Sequence, residues 1–324
     1  MNLLPFERQE KKILIRKQVE TSDKFGCYPE QRSVEDLLNY GIINVNKPDG
    51  PTSHQISDYV KKILELPKTG HSGTLDPGVT GVLSITLGKS TKVVQALLKA
   101  GKEYVCWMKV HKPIEKKDLI FVMSSFVGDI NQLPPVRSAV KRQLRKRSIY
   151  YIEILEVDEQ DVLFKVGCEA GTYIRKLCYD IGKKLGTNAN MQQLIRTKVA
   201  SFNDKNWISL HDLKDAYEYW KKGNETEIRK VILPIERAVD HLNKVWIGDG
   251  AVDPVCHGSD LYIAGISKLN EEIKLGEMIA VMTLKNELVG LGEAKMNSKD
   301  MMVANKGVAV SLHSVLMERK TYVV

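Results

Sequence analysis

Cysteine is sparse in this 324-residue sequence: five, at positions 27, 106, 168, 178 and 256, with no Cys-x-x-Cys pair. An odd count at such wide spacing argues against a disulfide-stapled scaffold and against a zinc ribbon. Cys256-His257 lacks a further ligand set at metal-site spacing, so it is not read as a metal centre. Long hydrophobic runs are also missing, and nothing in the N-terminal segment suits a signal or a membrane span. A soluble chain in a reducing compartment, without a membrane partner, is therefore expected. Four glycines crowd residues 70–81, but the Gly-Lys-Ser/Thr ending of a phosphate-binding loop is absent. No Gly-x-Gly-x-x-Gly opens a dinucleotide-binding unit either.

What is present is basic and foldable. Lysine and arginine number 48 against 40 acidic residues, giving a formal charge of +8, and 43% of residues are hydrophobic. Apolar content of that order sustains packed cores, and the length accommodates two or three folded units. The charge favours an anionic partner through long-range attraction without selecting RNA over DNA or lipid.

Residues 1–40 form a polar arm, either a partly ordered tail or a segment packed against another unit. Gly41-Ile-Ile-Asn-Val-Asn-Lys-Pro48 predicts a short strand stopped by a turn, and Thr52 and Ser53 predict the cap of a helix. The dense loop 70–81 leads into an apolar strand, then a helix over 89–99 and a strand over 102–111. Strands are expected over 149–157 and 161–168, and a helix over 173–185. Separated strands with interposed helices favour an α+β core over a repeated βαβ pattern. From about residue 241, short strands punctuated by glycine predict a smaller β-rich unit in which helix signals around Met301 and Met302 are sparse.

Several residues are candidates for chemistry. Asp76 is followed by Pro77, which restricts it to extended geometry and fixes the angle of its carboxylate. That carboxylate is either a nucleophile or general base, or a brace bonded to the loop's own backbone. His71 and Thr74, in the same loop, either place a ligand or stabilise the turn. Tyr104 either stacks on a base or packs in its strand. Arg175, near a helix start, either clamps a carboxylate or phosphate or forms an ordinary surface ion pair. Lys141, Arg142, Arg145, Lys146 and Arg147 make the densest basic cluster, suited to phosphate contacts with RNA or to a partner.

The order of five strings goes further. Gly-Ile-Ile-Asn-Val-Asn-Lys-Pro at 41–48 with Gly-Pro-Thr-Ser-His at 50–54, Gly-His-Ser-Gly-Thr-Leu-Asp-Pro at 70–77, Gly-Lys-Glu-Tyr at 101–104 and Gly-Thr-Tyr-Ile-Arg at 171–175 resemble the dyskerin-like branch of the TruB family of pseudouridine synthases. The resemblance runs from Arg32 to the C-terminal strands. It implies a mixed, mainly antiparallel central sheet flanked by helices, and a smaller β-rich PUA-like domain. The implied division is an arm at 1–40, a catalytic domain at 41–240 and the PUA-like unit at 241–324.

By this resemblance Asp76 is the catalytic carboxylate, Tyr104 the residue under the target base and Arg175 the partner of the aspartate. His71 and Thr74 would lie near the target nucleotide, and Leu194 would line its pocket. The reaction implied is isomerisation of uridine to pseudouridine in rRNA, and in tRNA, with no cofactor and no metal. The implied setting is a box H/ACA particle, with a guide RNA, a substrate RNA and three small protein subunits as partners. Its place would be the cytoplasm of an archaeon, or the nucleolus of a eukaryote. Ile195, Ala200 and Asn190 depart from the family's usual arginine, glycine and histidine.

Overall fold

The computed structural model describes residues 2–8, 10–134 and 141–323. Among these the strands form two sheets, one of ten strands and one of seven. In the larger sheet the main path runs Leu233–Pro234, Gly41–Lys47, Thr80–Leu87, Ala189–Val199, Lys102–Val110, Asp161–Cys168, Arg145–Asp158, Gly128–Gln132. Its pairings are antiparallel except at one seam, where Thr80 and Gly81 lie parallel to Ile195 and Arg196. The fold class is α+β, with a mixed, mainly antiparallel sheet flanked by helices.

The helices follow local rules. Ser53–Ile63 begins with a reciprocal capping box between Thr52 and Gln55, which satisfies two of the otherwise orphan N-terminal donors. Its apolar stripe, Ile56 and Val60, packs with Ile43, Val45, Leu83 and Ile85 on one face of the sheet. Ile174–Lys184 buries Leu177, Cys178 and Ile181 against Cys106, Met108, Phe164 and Val166.

Four expectations are corrected. The segment 89–99 opens as a 3-10 turn, Gly88–Val93, and becomes α-helical only over Val94–Lys99. Residues 69–71 are a short strand bonded to the Thr80–Leu87 strand rather than open loop. The strand expected from Ile149 begins at Arg145. Polar side chains on both faces hid its alternation. Asn297 caps a helix at Ser298–Val303, where few helix signals were visible.

The smaller sheet spans Asn243–Ile247 to Val308–Val315 and takes in one strand from the far end of the chain. Ile13–Ile15 pairs antiparallel with residues 268–270. Arg16 then donates to the carbonyls of Met301 (2.9 Å) and Ala304 (2.8 Å), capping the end of the Ser298–Val303 helix. The two sheets also share a core: Trp246, Met282 and Leu288 pack with Val82, Ala96, Leu97 and Ile235.

Candidate active site

Lys47 ends the Gly41–Lys47 strand fully buried, and its ammonium donates to the carbonyls of Pro48 (2.9 Å), Pro77 (2.8 Å) and Val79 (2.8 Å). Burial lowers its pKa below the ordinary lysine value. Ser53 Oγ accepts from the Leu75 amide at 2.8 Å. Strand end and helix start thus grip the loop on both sides of Asp76, and Leu75 and Val79 anchor it in the apolar core.

The Asp76 carboxylate is not a brace for its own loop. Lys47 and Ser53 take up the carbonyls of Pro77 and Val79 and the amide of Leu75, and no backbone amide donates to the Asp76 carboxylate among the described residues. Its Oδ2 instead accepts from Arg175 Nη2. The side chains of both residues are about 60% exposed, at 59% and 60%. A carboxylate held in the open by one guanidinium, on a loop fixed from below, is free to meet a large substrate.

Arg175 stands in the first turn of Ile174–Lys184. Tyr173, two residues earlier, is locked by Gln132, a buried amide that accepts from the Tyr173 N–H (2.9 Å) and donates to its carbonyl (3.1 Å). Tyr104 lies on the strand next to the parallel seam, across from Arg196. It is only 8% exposed, in one cluster with Leu75, Val79 and Leu194. Burial raises the Tyr104 phenol, opposed by the nearby Arg196 guanidinium. Arg196 is itself buried, donating to Val82 O at 2.8 Å and to Gly73 O at 3.3 Å. It ties the Asp76 loop to the seam.

His71 is half-buried and meets His54 edge-on, with ring centroids 5.1 Å apart. Burial first, then His54 and Arg196, lower its pKa. Thr74 is exposed. Neither residue bonds Asp76 or Arg175 among the described residues. The basic cluster is divided: Lys141 and Arg142 are exposed, whereas Arg145, Lys146 and Arg147 lie on the strand beside Gly128–Gln132. Lys146 pairs with Asp129 at 2.8 Å, and Arg147 approaches Glu169 at 3.6 Å. Among the described residues no group of three potential metal-binding side chains occurs.

Lys47, Gln132 and Arg196 were not singled out from sequence. Arg196 had a signal, since period-two alternation puts it on the inward face with Leu194. Gln132 had none.

Comparison with known proteins fits this geometry. Residues 61–174 match the TruB family pseudouridylate synthase N-terminal domain, 175–240 the tRNA pseudouridylate synthase B C-terminal domain, 243–316 the PUA domain, and 2–57 the DKCLD domain. The probable tRNA pseudouridine synthase B of Pyrococcus horikoshii is 51% identical over 322 residues, covering 99% of this chain and 96% of its own length. The chain belongs to the dyskerin-like branch of the TruB family of pseudouridine synthases. It is an RNA-modifying isomerase. The same curated name in Methanocaldococcus jannaschii goes with 50% identity over 97% of this chain and 96% of the relative. Among solved structures, the pseudouridine synthase resembles the Cbf5–Nop10–Gar1 complex chain, with TM-score 0.95, 51% identity and coverage of 99% and 98%. It equally resembles a chain of an H/ACA RNP bound to a substrate RNA containing 2′-deoxyuridine: TM-score 0.92, 49% identity, coverage 99% and 98%.

Proposed function

We propose that this pseudouridine synthase is the catalytic subunit of a guide-RNA-directed H/ACA particle and acts on uridines of rRNA, with tRNA as a second substrate. The carrying observation is the exposed Asp76–Arg175 pair beside a buried Tyr104, in a chain that follows an H/ACA RNP structure along nearly its whole length. Guide RNA, substrate RNA and three small protein subunits are the proposed partners, in the cytoplasm of an archaeal cell. The curated relatives named above are archaeal. In the same reading 1–40 is an arm, 41–240 the catalytic domain and 241–324 a PUA-like RNA-binding unit.

The target uridine is flipped out of its RNA, and pocket contacts offset the unstacking penalty. Asp76 then acts on the nucleotide, either as a nucleophile at the sugar or by taking a sugar proton. The N1–C1′ bond breaks, the base turns against Tyr104, a C5–C1′ bond forms, and the C5 proton is lost while N1 gains one. Atoms balance without cofactor or metal. Arg175 holds Asp76 in one orientation, His71 and Thr74 approach the target nucleotide, and Leu194 lines the pocket. Lys141 and Arg142, with Arg145, Lys146 and Arg147 along the adjoining strand, contact RNA phosphates or a partner.

The test uses the assembled complex, with matched guide, partner proteins and uridine-containing substrate. Native chain is expected to form pseudouridine, and Asp76→Asn to form essentially none while binding RNA as before. Equal activity of Asp76→Asn defeats the catalytic assignment. Native activity that does not depend on the guide defeats the particle.

A further inference from the structure

The strand carrying Tyr104 is not evenly paired. Glu103 lies opposite Lys198, but Tyr104 lies opposite Arg196, so Thr197 is the extra residue of a β-bulge. A bulge bends its strand, sharpens the local twist and re-aims the side chains beside it. Here the side chains re-aimed are Tyr104 and Arg196, one beneath the proposed target base and the other tied to the Asp76 loop.

The bulge is held from the opposite face of the sheet. Alternation turns Glu103 away from Tyr104, and its carboxylate is buried, only 5% exposed. Thr197 Oγ1 donates to it at 2.7 Å, and the Tyr151 hydroxyl donates to its other oxygen. Burial, together with Glu103, raises the Tyr151 phenol and keeps it a donor. Tyr151 reaches Glu103 because Gly167 lies between them: Gly167 is opposite Glu103 on one side and Tyr151 on the other. A Cβ at Gly167 would come within 2.3 Å of the Tyr151 ring. Lys198 approaches the same carboxylate at 3.7 Å and bonds Glu7 of the arm at 2.9 Å.

We propose that Glu103 and Thr197 are positioning residues for pseudouridine formation: their hydrogen bond locks the bulge that aims Tyr104 at the target base. Neither touches the substrate. Their action passes through the backbone of residues 103–104 and 196–197, and Tyr151 and the arm residue Glu7 stiffen it from behind. This rests on the reading of Tyr104 as a pocket residue.

The test is steady-state kinetics in the complete guide-dependent complex, with melting temperatures measured in parallel. Thr197→Val keeps shape and removes only the hydroxyl. Its kcat should fall about ten- to a hundred-fold at nearly unchanged KM, the scale expected when a reacting pair is misplaced by a fraction of an ångström to an ångström. Thr197→Ser, which restores the donor, should recover most of that loss. Glu103→Gln keeps an acceptor for Thr197 and should fall less than Thr197→Val. The proposal is overturned by native kcat in Thr197→Val, by equal losses in Thr197→Val and Thr197→Ser, or by a change confined to KM. Tyr104→Ala runs alongside. Full activity there removes the pocket reading itself, whereas its inactivity beside an unaffected Thr197→Val removes the bulge lock alone.

Discussion

Asp76 and Arg175 form an ion pair that contributes little to stability, since pairs this exposed are worth at most about 1 kcal/mol. Its value lies in orientation, and the stability of the region comes from Lys47, whose buried ammonium satisfies three carbonyls. A different residue sets the acid limit. Desolvation first, opposed by its bond to Ala96 O, pushes His241 down to about 4 from an ordinary 6.5. The unfolded chain therefore binds one more proton than the folded one between those values. The contribution of His241 is complete above pH 6.5 and is lost as pH falls towards 4. Melting temperature should decline across that window, and His241→Phe should flatten the decline. Ala200 sits in the two-residue turn between Val199 and Phe202 with φ of +50°. Left-handed geometry costs a non-glycine residue about 1–2 kcal/mol, against about 0.8 kcal/mol for its buried methyl. Ala200→Gly should leave stability unchanged or raise it by under about 1 kcal/mol, measured by denaturant titration. The φ at Ala200 is one that glycine adopts without strain.

At the scale of elements, the parallel seam between Thr80–Leu87 and Ala189–Val199 brings the Asp76 loop and the Tyr104 strand into one neighbourhood. Gly81 makes the seam possible. Its φ is +104°, and a Cβ there would lie 2.3 Å from the Arg196 carbonyl oxygen. Gly81→Ala should cost about 2–5 kcal/mol by adding backbone strain to a backbone clash. It should also reduce pseudouridine formation well below the melting temperature, because it parts Arg196 from the loop. Much of this layer is legible in sequence. The strand Gly41–Lys47, the helix after Thr52 and the strands Lys102–Val110 and Asp161–Cys168 follow from alternation, capping residues and turns. The meeting of Asp76 with Arg175, 99 residues apart, does not. Only the family resemblance anticipated it, because local patterns encode element type but not which elements become neighbours. Gln132 and Thr197 stayed silent for the same reason: an amide bonding a backbone and an extra residue in a ladder leave no periodic trace.

Across the whole molecule, the joint between the sheets turns on Glu236. Its carboxylate takes both arms of the Arg32 guanidinium at 2.8 Å and accepts from the Leu288 amide at 2.9 Å. Arm, catalytic sheet and smaller sheet thus meet at one buried pair, with side chains 11% and 9% exposed. Removing one partner strands the other charge, so Arg32→Met should cost about 3–5 kcal/mol in denaturant melts. It should also open the segment around residues 240–243 to limited proteolysis. Lys11 reinforces the same joint through Leu242 O at 2.7 Å.

The pairing of Ile13–Ile15 with residues 268–270 also sets a schedule for synthesis. The strand at residues 13–15 must wait for more than 250 further residues before its partner leaves the ribosome. Ile13 and Ile15 are outward-facing even when paired, so in the interval they form a short apolar edge with no sheet to join. Contacts of such sequence separation form late, after the loop-closure entropy has been met by the rest of the fold. The Ile13–Ile15 edge of the nascent enzyme is therefore still unpaired when the larger sheet is already built.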